Sequence, residues 1–157
     1  MQRKVAGMNY RKAVFDDVEQ IYHLVYKYAD EGLMLARSRN TLYETLRDMI
    51  VAEQDGKIVG VGGLHLIWDK LGEIRTMAVS PEFKKQGIGK KIVTELVIEG
   101  KKLGVETLFT LTYQPIFFNK LGFIEITKDQ LPHKVWKECI ECPKFPNCDE
   151  IAMMRKI

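Results

Sequence analysis

The chain has 157 residues, 46% apolar and 29% charged. That is the composition and size of one soluble globular domain, long enough to bury roughly two-thirds of its unfolded surface without disulfide or metal staples. Twenty-four basic against 21 acidic residues leave a net charge of +3, with no basic block interleaved with aromatics to suggest a nucleic-acid partner and no apolar run near the ~18 residues of a membrane span.

Residues 8–14 read as a first strand, with Tyr10 and Val14 among polar neighbours. Asp16 or Asp17 can cap a helix that carries Val18, Ile21, Tyr22, Val25 and Tyr28 on one side. Gly32 ends it. The following Gly32-Leu33-Met34-Leu35-Ala36-Arg37-Ser38-Arg39 is too apolar for a mere linker. Thr41-x-x-Glu44 has capping-box spacing and opens a second short helix through Leu42, Leu46 and Met49. Residues 49–53 form a strand, Asp55-Gly56 is a hairpin signal, and the partner strand runs from Ile58 to Trp68. Residues 71–79 form the next strand. A long helix follows over Gly87 to Leu103, with Ile92, Val93, Leu96 and Leu103 at helical spacing. Gly100 on that stripe would let the helix lie close to a sheet, and Gly104 stops it. Val105 to Leu111 is a buried strand, Pro115 starts a short helix, and Leu121-Gly122-Phe123 leads into a strand over 123–127. Residues 133–140 read as a helical turn or two, and 150–155 as a last strand. The fold class expected is α+β, a three-layer arrangement with a mixed, mostly antiparallel central sheet and helices on both faces, in one domain over residues 1–157.

The stretch Met77-Ala78-Val79-Ser80-Pro81-Glu82-Phe83-Lys84-Lys85-Gln86-Gly87-Ile88-Gly89-Lys90-Lys91 holds the clearest chemistry. A strand ends at Val79 and a helix begins near Gly87. Two glycines let the backbone approach a ligand closely. Successive N–H groups at a helix N-terminus make a concave anion site, and the helix dipole favours negative charge there. Lys84, Lys85, Lys90 and Lys91 surround it with positive charge, so a phosphate-bearing ligand is the natural occupant. The spacing fits neither a Walker loop nor a dinucleotide fingerprint.

Lys84-Lys85-Gln86-Gly87-Ile88-Gly89, behind the strand-Ser80-Pro81-Glu82-Phe83 lead-in, resembles the acyl-CoA loop of the GNAT acetyltransferases. Lys84 stands where that family usually has Arg or Gln. Phe117-Phe118-Asn119-Lys120-Leu121-Gly122-Phe123 resembles the late signature of the same family, and the order of elements matches over nearly the whole chain. The resemblance implies acetyl-CoA as co-substrate, direct acetyl transfer in a ternary complex, and a gap between the 71–79 and 105–111 strands that takes the pantetheine like an extra strand. Backbone groups of Met77, Ala78 and Val79 would line it, with Lys84, Lys85, Gln86, Gly87, Ile88, Gly89 and Lys90 around the phosphates.

Acetyl transfer to an amine needs a held thioester, a polarised carbonyl, a deprotonated amine and a protonated leaving thiolate. By resemblance the general base is Glu73, on the strand leading to the loop; as a plain strand glutamate it would simply pair with Arg75. The tyrosine that the family often uses as acid is Phe118 here, so Tyr113 or the hydroxyl of Thr112 is expected to substitute. The segments around Arg37, Tyr113 and Leu131-Pro132-His133-Lys134-Val135-Trp136 resemble the short, stand-alone N-acetylglutamate synthases. That likeness implies L-glutamate as acceptor, in arginine biosynthesis, with Arg37 forking onto a substrate carboxylate. Ser38 would help it, and Arg75 is a second carboxylate partner.

Cys139, Cys142 and Cys148 with His133 could supply four zinc ligands. They lack the two paired hooks of a structural zinc site, and reduced cysteines under a proline-rich loop are expected, with no metal. The opening Met1-Gln2-Arg3-Lys4-Val5 lacks the apolar core of a signal peptide. A cytoplasmic protein with small-molecule partners is expected, neither membrane-bound nor on nucleic acid. A homodimer is compatible with the sequence, which does not specify oligomeric state.

Overall fold

The structure, a computed structural model, describes residues 7–132 and 149–157. In chain order its main elements are β1 (Asn9–Lys12), α1 (Val18–Asp30), α2 (Arg39–Glu44), β2 (Met49–Gln54), β3 (Lys57–Trp68), β4 (Leu71–Val79), α3 (Ile88–Leu103), β5 (Thr107–Thr112), α4 (Pro115–Lys120), β6 (Ile124–Ile126) and β7 (Ile151–Lys156). The strands form one sheet in the order β1-β2-β3-β4-β5-β7-β6. Of its pairings, β4 with β5 is parallel and the rest are antiparallel. This is the mixed α+β architecture expected from the sequence.

Two apolar layers hold it. On one face Ile88, Ile92, Val93, Leu96 and Val97 of α3 pack on Ile50, Ala52, Leu64, Ile74 and Leu108 of the sheet. On the other, Val18, Ile21 and Val25 of α1 and Leu42 of α2 cover Met49, Val51, Ile58, Val61 and Ala78. Each such Val, Leu, Ile or Met side chain, taken from water, contributes about 1.5–3 kcal/mol. The close approach of α3 is made by the sheet and not by Gly100. A Cβ at Gly60 would meet Ile88 Cγ2 at 2.9 Å, and one at Gly62 would overlap both Met77 Sδ and Ile92 Cγ2. At Gly100 the nearest atom would stand at 3.4 Å, an ordinary contact.

Several boundaries differ from those expected, for local reasons. β1 ends at Lys12, and Val14 is 52% exposed. The chain reverses there because the Asp17 carboxylate accepts from the Val14 backbone N–H at 2.8 Å. Asp17 is the residue before α1, yet its side chain makes no cap bond to that helix. Arg11 holds it instead, with Nη1 and Nη2 at 2.7 and 2.9 Å. Helix α2 starts at Arg39 and is capped by Ser38, whose Oγ accepts from the Thr41 N–H at 3.1 Å, so Thr41 is not the cap. It stops at Glu44; Leu46–Asp48 is a 3₁₀ turn, and Met49, 1% exposed, opens β2. Asp55 and Gly56 both have positive φ, 53° and 79°, as the tight hairpin turn requires. β5 begins at Thr107, two residues later than expected, and residues 133–140 lie outside the described residues.

The Arg11–Asp17 pair yields a stability prediction. Asp17 is 5% exposed, and the Arg11 guanidinium beside it, followed by the Val14 N–H, holds its carboxyl below the usual carboxylate range. Arg11→Ala leaves that buried charge without its counter-ion. The change is expected to lower unfolding free energy by about 2–3 kcal/mol, discounted for the partly exposed arginine. A carboxyl with a depressed folded pKa contributes stability above its unfolded value of about 3.9, and loses it as pH falls through the folded value. Urea unfolding of wild type and variant should therefore differ at neutral pH and converge in acid.

Candidate active site

The site begins where the sheet comes apart. β4 pairs with β5 only through Leu71–Thr107, Gly72–Leu108 and Glu73–Phe109, while it stays on β3 as far as Val79 opposite Gly60. From Gly63–Arg75 to Val61–Ala78, two steps along β3 face three along β4. The extra residue is a bulge with Thr76 at φ 61°, a strained setting for a β-branched side chain. A bulge bends and twists its strand, and here it turns β4 away from β5. The hydroxyl of buried Thr110 donates to the Ile74 carbonyl at 2.9 Å, tying the two strands together at the fork. Neither Thr76 nor Thr110 was marked by the sequence reading.

A cavity of about 780 Å³ lies in this fork. It is lined by β4 from Glu73 to Val79, by Thr110–Tyr113 at the end of β5, by Leu33–Leu35 and Arg37, and by the turn into α3. Of the site residues picked from sequence, Gln86 and Ser38 do not line it. Gln86 points to solvent, and the exposed Ser38 spends its hydroxyl on the α2 cap.

At one end lies the anion turn. Gly87, with φ 81°, precedes α3 without any side-chain cap. The first N–H groups of that 16-residue helix therefore have no partner within it, and the positive end of the dipole lies at the cavity wall. Lys84, Lys85 and Lys90 line the same end. A Cβ at Gly89 would meet the ring of Phe117 at 3.1 Å, which ties the second glycine to the later aromatic run. Tyr28, expected only as part of the α1 stripe, reaches into this wall. Its hydroxyl donates to the Val79 carbonyl at 2.5 Å, and the Lys84 ammonium stands 4.9 Å from its ring centre.

At the other end lies a compact polar group. Arg75 Nη2 is 2.8 Å from Glu73 Oε1, with side chains only 9% and 12% exposed. The plain-pairing alternative is thus half right: the two are partners, but in a cavity wall and not on an open surface. Arg37 is half-buried on the loop above. The Thr112 hydroxyl accepts from the Gln114 N–H at 2.7 Å, and the Tyr113 hydroxyl donates to the Asp149 carboxylate. Phe118 is 3% exposed and sits edge-on between Phe117 and Phe123. It is core and has no proton to give. Glu150, a buried acid that sequence reading passed over, also lines the cavity. Among the described residues no cluster of His, Cys, Asp and Glu could hold a metal ion. His133, Cys139, Cys142 and Cys148 lie outside them. No helix among the described residues is long and apolar enough to cross a membrane.

Comparison with known proteins bears on the same residues. The family model for the acetyltransferase (GNAT) family matches residues 15–123. An uncharacterized N-acetyltransferase of Chlorobaculum tepidum is 38% identical over 147 residues, 94% of this chain and 95% of its own. An amino-acid acetyltransferase of Mycobacterium tuberculosis is 40% identical over 131 residues, 82% of this chain and 75% of its own. The N-acetylglutamate synthase of Neisseria gonorrhoeae, solved with coenzyme A and N-acetyl-glutamate, superposes with a TM-score of 0.87 at 25% identity, over 98% of this chain and 36% of that one.

Proposed function

We propose, for a chain that belongs to the GNAT acetyltransferase family, that it moves an acetyl group from acetyl-CoA to the α-amine of an amino acid, L-glutamate. The observation that carries this is the pairing of two unlike ends in one cavity: the basic turn Lys84–Lys90 for a phosphorylated carrier, and Arg37 with the Glu73–Arg75 pair for a small zwitterion. Amino-acid acetyltransferases among its relatives support it. The product would serve the first step of arginine biosynthesis, in the cytoplasm.

Glu73 is the base that takes a proton from the acceptor ammonium. Arg37 grips a carboxylate through two parallel hydrogen bonds, and Arg75, which steadies Glu73, is the second carboxylate partner. Backbone groups of Met77 to Val79 receive the pantetheine along the β4 edge that β5 has left, and one N–H there polarises the thioester carbonyl. The Tyr28 hydroxyl donates to the Val79 carbonyl beside this edge. Lys84, Lys85, Gly87, Ile88, Gly89 and Lys90 hold the phosphates, with Gln86 at the rim. Thr112, whose oxygen is held by the Gln114 N–H, keeps its proton for the leaving thiolate, and Tyr113 stands next to it.

Incubation with acetyl-CoA and each amino acid in turn, followed by free thiol, tests the proposal. L-Glutamate should give the highest kcat/KM. An amine without any carboxylate that reacts as well would sink it.

A further inference from the structure

A base that accepts a proton in every turnover must lose it before the next. Glu73 is 12% exposed, has Arg75 on one oxygen and otherwise faces the cavity that the substrates would fill, so an outlet away from the cavity would serve it during turnover. Directly across the β3–β4 ladder stands His65, the Cα partner of Glu73. Cross-strand partners leave the sheet on the same face, with Cβ atoms typically about 5 Å apart. The imidazole is anchored: Nδ1 lies 2.6 Å from Asp48 Oδ2, the acid that closes the 3₁₀ turn Leu46–Asp48. His65 and Asp48 are 28% and 24% exposed, so both reach solvent where Glu73 scarcely does. A carboxylate accepting from Nδ1–H selects the tautomer whose Nε2 carries the lone pair. Among the described residues, the charged groups facing the ring are Asp48 from the turn before β2 and Glu73 and Arg75 from β4.

We propose that His65, held by Asp48, is the proton outlet of Glu73. This rests on Glu73 being the base of the proposed acetyl transfer. The acceptor N–H bond breaks and its proton goes to the Glu73 carboxylate. The carboxylic acid so formed gives that proton to Nε2 of neutral His65, and the imidazolium, stabilised by Asp48, releases it to water. Glu73 returns to carboxylate and His65 to neutral imidazole, with no change of oxidation state. His65 acts through Glu73 and is a positioning residue, not a catalytic one.

The test compares His65→Gln, Asp48→Asn and Glu73→Gln in the thiol-release assay across pH, with and without added imidazole. His65→Gln and Asp48→Asn should lower kcat about tenfold, a fraction of a full general-base effect, with KM for both substrates unchanged. The pH dependence of kcat should change in His65→Gln, and imidazole should restore its rate but not that of Glu73→Gln. Wild-type kcat in His65→Gln at every pH, beside a crippled Glu73→Gln, overturns the relay and leaves the base standing. Full activity in Glu73→Gln overturns the base and the relay with it. A loss in His65→Gln that imidazole does not restore, at unchanged melting temperature, assigns His65 a purely structural role and overturns the relay. If His65→Gln melts early, Asp48→Asn, which keeps the ring, decides: an unchanged pH profile overturns the relay, and an altered profile with lowered kcat upholds it.

Discussion

Glu73→Gln should lower kcat at least about 100-fold while KM for acetyl-CoA stays within about twofold. The amide keeps the shape of the carboxylate and an oxygen for Arg75 Nη2, now 2.8 Å from Glu73 Oε1, so the wall of the cavity should stand. What disappears is the only function glutamine cannot supply, acceptance of a proton from an ammonium. A thermal melt in the presence of coenzyme A separates the outcomes. An unchanged ligand-induced shift with lost turnover assigns Glu73 to chemistry. A lost shift places the damage in the fold, and a variant as fast as wild type removes Glu73 from the mechanism.

Arg37→Ala should act on the other substrate. A bidentate guanidinium–carboxylate pair at a half-buried site contributes about 2–3 kcal/mol, so KM for the amino acid should rise about 30-fold or more. Coenzyme A binding should not change, because Arg37 sits on the loop before α2 and is no part of the turn Lys84–Lys90. Arg37→Lys should recover little, since an ammonium cannot form two parallel hydrogen bonds. An unaltered KM in Arg37→Ala would move the carboxylate contact to Arg75 or out of the cavity. Loss of coenzyme A binding together with amino-acid binding would mean misfolding.

Both residues line the cavity, but the sequence offered them less directly than it offered the turn into α3. The anion turn announced itself physically: a strand, two glycines and a helix start with flanking lysines can be read by elementary rules, and Gly87 takes the left-handed conformation at the start of α3. Glu73 and Arg37 were reached only through a family likeness, because a glutamate on a strand and an arginine on a loop carry no spacing of their own. Features set by tertiary register stayed hidden. Thr76 breaks the β4 ladder at φ 61°, although nothing about a threonine in a strand forecasts a bulge. Tyr28 follows the apolar stripe of α1 and turns out to bond Val79 across the fork. His65 has meaning only once β3 and β4 are paired and Glu73 lies opposite. Ser38 was the reverse case. Its neighbour Arg37 suggested a ligand role, while a helix starting one residue later claimed the hydroxyl for its cap.

The position of β7 has a consequence for how the molecule assembles. β5 supplies one wall of the cavity, yet it is tied to β4 by three residue pairs and to β7 by six. β7 also separates β5 from β6, although β6 comes before it in the chain. Most of the backbone partners that hold β5 straight therefore come from residues 151–156, 39 to 49 positions further along. Closing so long a loop is entropically demanding, and non-local pairings of this sort slow folding. A nascent chain can thus lay down α1 to α3 and the β1–β4 meander early, while the far wall of the cavity stays unset until residues 151–156 arrive. The β5 wall of the cavity thus depends on the last strand described.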